Sequence, residues 1–430
     1  MIMSLKGDFK MKITRVTTLL ELMQAISENI PQTLEIETSI LSPHSISLPE
    51  GYKLIGKSNN SCMVSFNNSD GFGMTRNNTI SNLTIMTRQT NRAIYTVYGI
   101  PDMGNIVLEN LNITGQVSII SRSGTDKINL IADHIHITSC DSRHYSEQPQ
   151  KYGVNVYQGA LTVYNFNPNE NSIIECRLTN ICIGFKNAPV IGSGIFVSGF
   201  GNEGGRVNLE TLTTGAVYSN GLLPYGTADI ITAAVFIVYG VEAKSVEHHG
   251  ELVTYGVNDM VLDTWGKVEK WISNYPITSY GPSGIGFVNF GTVKDFTARD
   301  IITYGLGARG FNQYDGTVEN IKFKSITTHG DGSIGIQVSR PIGNMTVEED
   351  VTTYGSVGNS LVKGVITKLA ANAISIKSGG EVESLTIHGD IITYGDNVTN
   401  YALEGGGVKK FDVGGEIIVN GKNSQKYNHN

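Results

Sequence analysis

Asp263, Gln313, Arg340 and Lys377 share a position in the chain. Each stands third before a glycine, and the glycines Gly266, Gly316, Gly343 and Gly380 mark a recurring corner. Ile237 and Val288 fill the same position before Gly240 and Gly291. Strand alternation sends this column outward, because the fourth residue before the glycine (Phe236, Leu262, Phe287 and Ile376) reads as an inward column. The residue just before the glycine shares the outward face and gives Tyr239, Trp265, Phe290 and Asp315. A charged ridge flanked by aromatic rings suits a sugar, whose C–H faces pack on ring faces. Two chemistries fit. In a lyase, Arg340 would neutralise a uronate carboxylate and Lys377 would take the adjacent proton. In a glycosidase, Asp263 and Asp315 would be the acid and base. Two coils separate them, roughly 10 Å, the wide end of the inverting geometry. Asp331 is a further carboxylate candidate. The competing reading is that the aromatics pack under a loop or in an oligomer contact.

Such a ridge needs a solenoid beneath it. A Tyr-Gly or His-Gly pair ends at Gly256, Gly281, Gly305, Gly330, Gly355 and Gly395. The first five follow one another at 25, 24, 25 and 25 residues, and the last gap of 40 holds an insertion near Leu361–Leu369. Two glycine markers with one period indicate stacked coils, each with short strands between Gly, Asn or Asp corners. Stacking places like residues about 4.8 Å apart, so they form ladders. The N-terminal half repeats the alternation in Ile80-Ser-Asn-Leu-Thr-Ile85, Leu108-Glu-Asn-Leu-Asn-Ile113 and Ile131-Ala-Asp-His-Ile-His-Ile137. Before it, Thr18 and Glu21 have capping-box spacing, and Leu19, Met23, Ile26 and Ile30 share a helical face that Pro31 ends. The expected organisation is an N-terminal segment and capping helix over 1–30, a β-helix over 31–421, and a polar tail over 422–430. Loops project near 140–153 and 218–229. Long solenoid loops often carry function.

Alternating Ile-x-Asn-Leu-x-Ile strands behind a capping helix resemble the right-handed parallel β-helix of the pectate-lyase-like superfold. Val238-Tyr-Gly240, Asn258-Asp-Met-Val-Leu-Asp263, Pro282-Ser-Gly-Ile-Gly-Phe-Val-Asn-Phe-Gly291 and Gly307-Ala-Arg-Gly-Phe-Asn312 also resemble a group of bacterial β-helix proteins without an established activity. The resemblance spans most of the chain and implies a fold, an all-β single-stranded solenoid, rather than a reaction. His329-Gly-Asp331-Gly resembles a polygalacturonase Gly-His-Gly segment, but Thr328 replaces its first glycine. His329 reads more simply as a member of the Tyr column.

Composition narrows the partners. The chain of 430 residues carries a net charge of −7, with no basic cluster longer than Lys409-Lys410, so nucleic acid is not expected. No apolar run approaches the roughly 20 residues that span a membrane, and no secretory pattern opens the chain, so a cytoplasmic protein is expected. Cys62, Cys140, Cys176 and Cys182 lack metal or redox spacing and read as core thiols. His134 and His136 could ligate a metal, but no third ligand is evident, so surface histidines are expected. Neither metal nor cofactor is anticipated. Three functions remain. The first is a carbohydrate-active enzyme, lyase or hydrolase, acting on a glycan in a groove along the solenoid. The second is a non-catalytic structural or assembly protein, with a homo-oligomer as its partner. The third is a small-molecule enzyme or binder that uses the two long loops, with Arg143 and His144, as a lid.

Overall fold

A computed structural model describes residues 11–362 and 365–429. The chain winds into a parallel β-helix. One side is a 16-stranded sheet, here the narrow sheet, and a 23-stranded broad sheet forms the rest of the wall. In a representative coil, Asp259–Thr264 turns at Trp265-Gly266 into Lys267–Ser273 and then into Ile277–Ser279. The next coil lies parallel on it, with Leu262 opposite Phe287 and Val268 opposite Val293. The interior is apolar and continuous. Trp271, Phe287, Phe296, Phe311 and Phe323 are fully buried, and the rings of Phe287 and Phe296 stack in parallel at 4.0 Å. Burial of each such side chain contributes about 1.5–3 kcal/mol.

The Tyr-Gly period has a steric cause. A Cβ on Gly281, Gly305, Gly330, Gly355 or Gly395 would lie 1.7–2.0 Å from the carbonyl oxygen of the corresponding glycine one coil earlier. Only a residue without Cβ lets successive coils close at this corner. Beside it, Tyr255, Tyr280, Tyr304, His329, Tyr354 and Tyr394 stack with centroids 4.6–5.4 Å apart and planes within 8° of parallel. His329 therefore sits in the Tyr column. Since each ring spends its faces on its neighbours, the row offers only ring edges to solvent.

The N-terminal coils use another device. Asn82, Asn110, His134 and Asn180 adopt φ of 51–55°, where the broad sheet bends. Asparagine tolerates this left-handed conformation better than most side-chain-bearing residues. The amides form a ladder, Asn59 Nδ2 to Asn110 Oδ1 and Asn110 Nδ2 to Asn82 Oδ1, both 2.8 Å. His134 stands in this corner column, so its position answers to the bend. Its Nδ1 meets Asp133 at 2.8 Å, while His136 Nε2 meets the Gly184 carbonyl at 3.3 Å.

The helix runs Leu19–Ser27, with Thr18 and Glu21 completing the capping box. Its buried residues are Leu22 and Ala25, whereas Met23 and Ile30 are exposed, so the inward face is rotated from the expected one. Two boundaries also differ from expectation. Strand Lys12–Val16 already pairs with Gln32–Ile36 ahead of the helix, and Gln425–His429 pairs with Thr399–Glu404 as a further rung instead of forming a tail. The expected insertion is an antiparallel hairpin of Val357–Val362 and Val365–Ala370. Cys62, Cys140 and Cys176 are buried free thiols, and Cys182 is half-buried.

Candidate functional site

The outward face of the narrow sheet is partly roofed. The chain leaving Cys140 returns as a small hairpin, Gln150–Lys151 with Val154–Val156, whose tip is Tyr152-Gly153 at φ +57° and +84°. The tip lays Tyr152 across Trp265 and Phe290, with ring centroids 5.4 and 4.5 Å away. Tyr239 packs on Trp265 at 5.8 Å, and Phe290 stacks on Tyr314 at 4.8 Å. Beneath the roof, Ile120, Val156, Tyr164, Phe196, Phe236, Met260 and Val288 form a second apolar cluster outside the solenoid core. Tyr239 and Trp265 belong to it and are buried, so they pack under a loop.

The second loop and the late hairpin reach the same place. Asp259 holds the second loop, accepting from Thr232 Oγ1 at 2.9 Å and from the Gly221 and Gly256 N–H groups. Asn258 Nδ2 adds a bond to the Thr227 carbonyl. Burial pushes the Asp259 carboxyl up to about 6, against these bonds. Ser283 Oγ accepts from Leu361 N–H, and Ser360 Oγ donates to the Gly307 carbonyl, which docks the late hairpin.

Between these three insertions lies a pocket of about 310 Å³. Tyr152, Ala228 and Leu361 represent the insertions in its lining; Asp263, Arg309, Asn312, Asp315 and Arg340 supply its polar wall. Apolar walls with a few convergent polar groups, at the lower end of the roughly 300–1,000 Å³ range, describe a small-ligand site.

The ridge expected from the sequence is not one column. The outward column is Phe236, Asp263, Val288, Asn312, Gln337 and Ser375. Gln313 is one position off, fully buried and turned inward, where it accepts from Asn289 Nδ2 at 3.0 Å. Arg340 lies beyond its strand in a corner, and Lys377 sits four coils from Asp263, about 19 Å along the axis. Lys377 pairs with Glu404 at 2.6 Å. Phe236 likewise leaves the inward column it was expected to join, whereas Ile376 lies inward in the core as expected. The cause is corner length. The corner is Val238-Tyr239-Gly240 in one coil and Trp265-Gly266 in the next, while Ile237 pairs with Thr264. Counting back from the glycine therefore slips the register. By register Tyr314, not Asp315, is the partner of Phe290, and the aromatic count from the glycine passed over it.

The pocket nevertheless collects Asp263, Phe290, Asp315 and Arg340. The two carboxyl groups face opposite environments. Asp263 is fully buried, and neither carboxyl oxygen completes a hydrogen bond among the described residues. Burial drives it well above the usual carboxylate range; Trp265 Nε1 and the Thr264 N–H lie close enough only to soften the rise. Asp315 is partly exposed. Its modest burial raises it, but the Gly316 N–H, Arg340 and Tyr152 outweigh this and hold it below the usual range. Arg340 Nε lies 3.3 Å from Oδ1, and the Tyr152 hydroxyl donates to Oδ2 at 3.2 Å. Burial first, then Asp315, pushes the Tyr152 phenol up to about 12.

Other concavities carry less. An open trough of about 630 Å³ along the broad sheet is lined by Glu175, Glu242, Lys267 and Lys294. Its charges pair across the ladder, as in Lys267–Glu242 at 2.9 Å with both side chains mostly exposed, which is a solvated face. Arg143 and His144 border a shallow dish away from the roofed pocket, where Arg143 holds Asp141 through Nε and Nη2. Among the described residues, no group of three His, Cys, Asp or Glu side chains is arranged to hold a metal ion, and no helix is long and apolar enough to cross a membrane. No protein-family model, curated protein or solved structure matches the chain.

Proposed function

We propose that the chain is a carbohydrate-active β-helix protein, within the pectate-lyase-like resemblance, that hydrolyses a glycosidic bond of a sugar-sized ligand in the roofed pocket. The observation that carries this reading is the meeting of two carboxyl groups in one pocket with their proton affinities pushed apart. Such a divergence assigns acid and base. Asp263, held in its neutral form by burial, is the proton donor to the glycosidic oxygen. Asp315, held as a carboxylate, orients the attacking water. They lie two coils apart, roughly 10 Å along the axis, too far for the about 5–5.5 Å of a retaining pair and at the outer edge of the about 6.5–9.5 Å of an inverting one, so a single displacement is the geometry they approach. Phe290 and Tyr314 offer the ring surface. Tyr152 must lift before a glycosidic oxygen reaches Asp263, so the hairpin tip acts as the lid. The hydrolytic reading has more support than the lyase reading, because Lys377 is engaged with Glu404 well away from the pocket.

The test is release of reducing ends from a panel of neutral and acidic oligosaccharides. Wild-type protein is expected to cleave at least one, with Asp263→Asn and Asp315→Asn each slower by about 10²–10⁴-fold. Absence of cleavage and binding across the panel would sink the reading. Binding without cleavage would remove its hydrolytic step.

A further inference from the structure

The pocket wall holds a buried cation without a counter-ion among the described residues. Arg309 is 4% exposed and lines the pocket. It occupies an otherwise apolar column, opposite Ile285 on one side and Ile334 on the other, with Met260 one coil further back. Its hydrogen bonds run from Nε to Gln337 Oε1 at 3.2 Å and from Nη1 to the Gly307 carbonyl at 3.3 Å. Both acceptors are neutral and both bonds are long. Among the described residues no carboxylate lies within 4.0 Å of its guanidinium. Asp315 is taken by Arg340, and Asp263 favours its neutral form. Burial lowers the Arg309 guanidinium only to about 10, so it keeps its charge at neutral pH.

An isolated buried charge is costly unless something compensates it. A packing role gives no reason for arginine here, since its column neighbours are methionine and isoleucine, which fill the same kind of space at no such cost. The planar fork of arginine matches an oxyanion. Close by, Asn312 is 1% exposed, and its Oδ1 completes no hydrogen bond among the described residues, so it can accept from a ligand hydroxyl. Phe290, Ile285 and Leu361 supply apolar surface for the body of the ligand.

We infer that Arg309 is a specificity-determining residue, and that the pocket takes a ligand carrying one oxyanion, an acidic rather than a neutral sugar. This rests on the sugar reading above. The oxyanion lies against Arg309, and a neighbouring hydroxyl donates to Asn312 Oδ1. Carboxylate, sulfate and phosphate esters share the required chemistry, and the probes separate them.

The experiment is calorimetric titration of the full chain with glucuronate, glucose 6-sulfate, glucose 6-phosphate, methyl glucoside and, as an acid that is not a sugar, benzoate. Wild-type protein is expected to favour at least one acidic sugar over methyl glucoside. Arg309→Met is expected to weaken that acidic sugar by about ten- to a hundredfold more than methyl glucoside, the worth of charge-assisted hydrogen bonds. The unliganded variant is expected to melt at the same or a higher temperature, because an uncompensated charge has gone. A purely structural arginine would instead give a lower melting temperature, which overturns the inference. So does equal affinity of wild-type protein for acidic and neutral sugars, a comparison that needs no variant and leaves the sugar reading standing. Benzoate bound in an Arg309-dependent way with no sugar bound supports the anion site and removes the sugar reading.

Discussion

His248 should make the fold acid-sensitive by an amount that can be isolated. The imidazole is fully buried. Trp271 Nε1, which can only donate, gives its proton to His248 Nε2 at 2.9 Å. Nε2 is therefore the acceptor, and the ring proton on Nδ1 donates to Thr214 Oγ1 at 2.8 Å. A second proton on Nε2 would point at the indole N–H. Burial, with a smaller contribution from His249, lowers the folded-state value to about 3 from 6.5. The unfolded chain thus binds the proton more readily between these limits. The stabilisation is fully present above about pH 6.5 and is lost as pH falls from there towards 3. At pH 5 the loss is about 2 kcal/mol, taking 1.36 kcal/mol per pH unit over about 1.5 units. The assay is urea unfolding of wild type and His248→Gln from about pH 7.5 to 5. Groups that do not interact with His248 are common to both proteins and cancel in the difference, and His249 supplies only the smaller part of the shift. Glutamine can still accept from Trp271 but does not titrate. The variant is expected to be less stable at pH 7.5, with the gap shrinking by about 2 kcal/mol at pH 5. Parallel stability curves would refute the reasoning.

Three further perturbations follow from the same geometry. Gly305→Ala places a Cβ 1.8 Å from the Gly281 carbonyl oxygen and should cost about 3 kcal/mol or more, read as a fall in Tm. Asn110→Ala should cost about 1–2 kcal/mol, and Asn110→Gly less, because glycine keeps φ of 51° without strain; equal losses would locate the effect in the amide ladder alone. Tyr152→Ala uncovers Trp265 and should raise acrylamide quenching of its fluorescence, measured with Trp271→Phe so that Trp265 is the single tryptophan; unchanged quenching would show that the hairpin tip does not shield it.

The parts of this molecule that were legible in the sequence are those that repeat themselves one coil away. Gly281, Gly305 and Gly330 announce the coil because each meets its own copy, and Tyr280, Tyr304 and His329 stack for the same reason. The capping box and three of the four thiols depend on local chemistry and were equally readable; Cys182, expected in the core, is half-buried on the other face of its strand. The pocket was readable only in part. Asp263, Phe290, Asp315 and Arg340 were picked out and do line it, but as a convergence around corners of unequal length instead of a ridge. Gln313 fell out because a corner residue added or lost turns a side chain to the opposite face, and Lys377 because it lies four coils from Asp263 and pairs with Glu404. Arg309 carried no signal, since its column partners are apolar, and Tyr152 reaches Trp265 across more than a hundred residues of chain that no period connects. Arg143 and His144, expected in the lid, sit beside a different dish.

The central claim is that the roofed pocket receives a sugar. The chain has two tryptophans, Trp265 packed against Tyr152 and Trp271 in the solenoid core. In Trp271→Phe protein the emission therefore reports on the pocket, and Tyr152→Ala in that background verifies that it does. Titration of this protein with the acidic and neutral sugars should give a saturable shift of Trp265 emission for at least one of them, as the ligand lifts Tyr152 from the indole. A Trp265 signal that answers to Tyr152→Ala but stays unchanged up to saturating levels of every sugar would contradict the account.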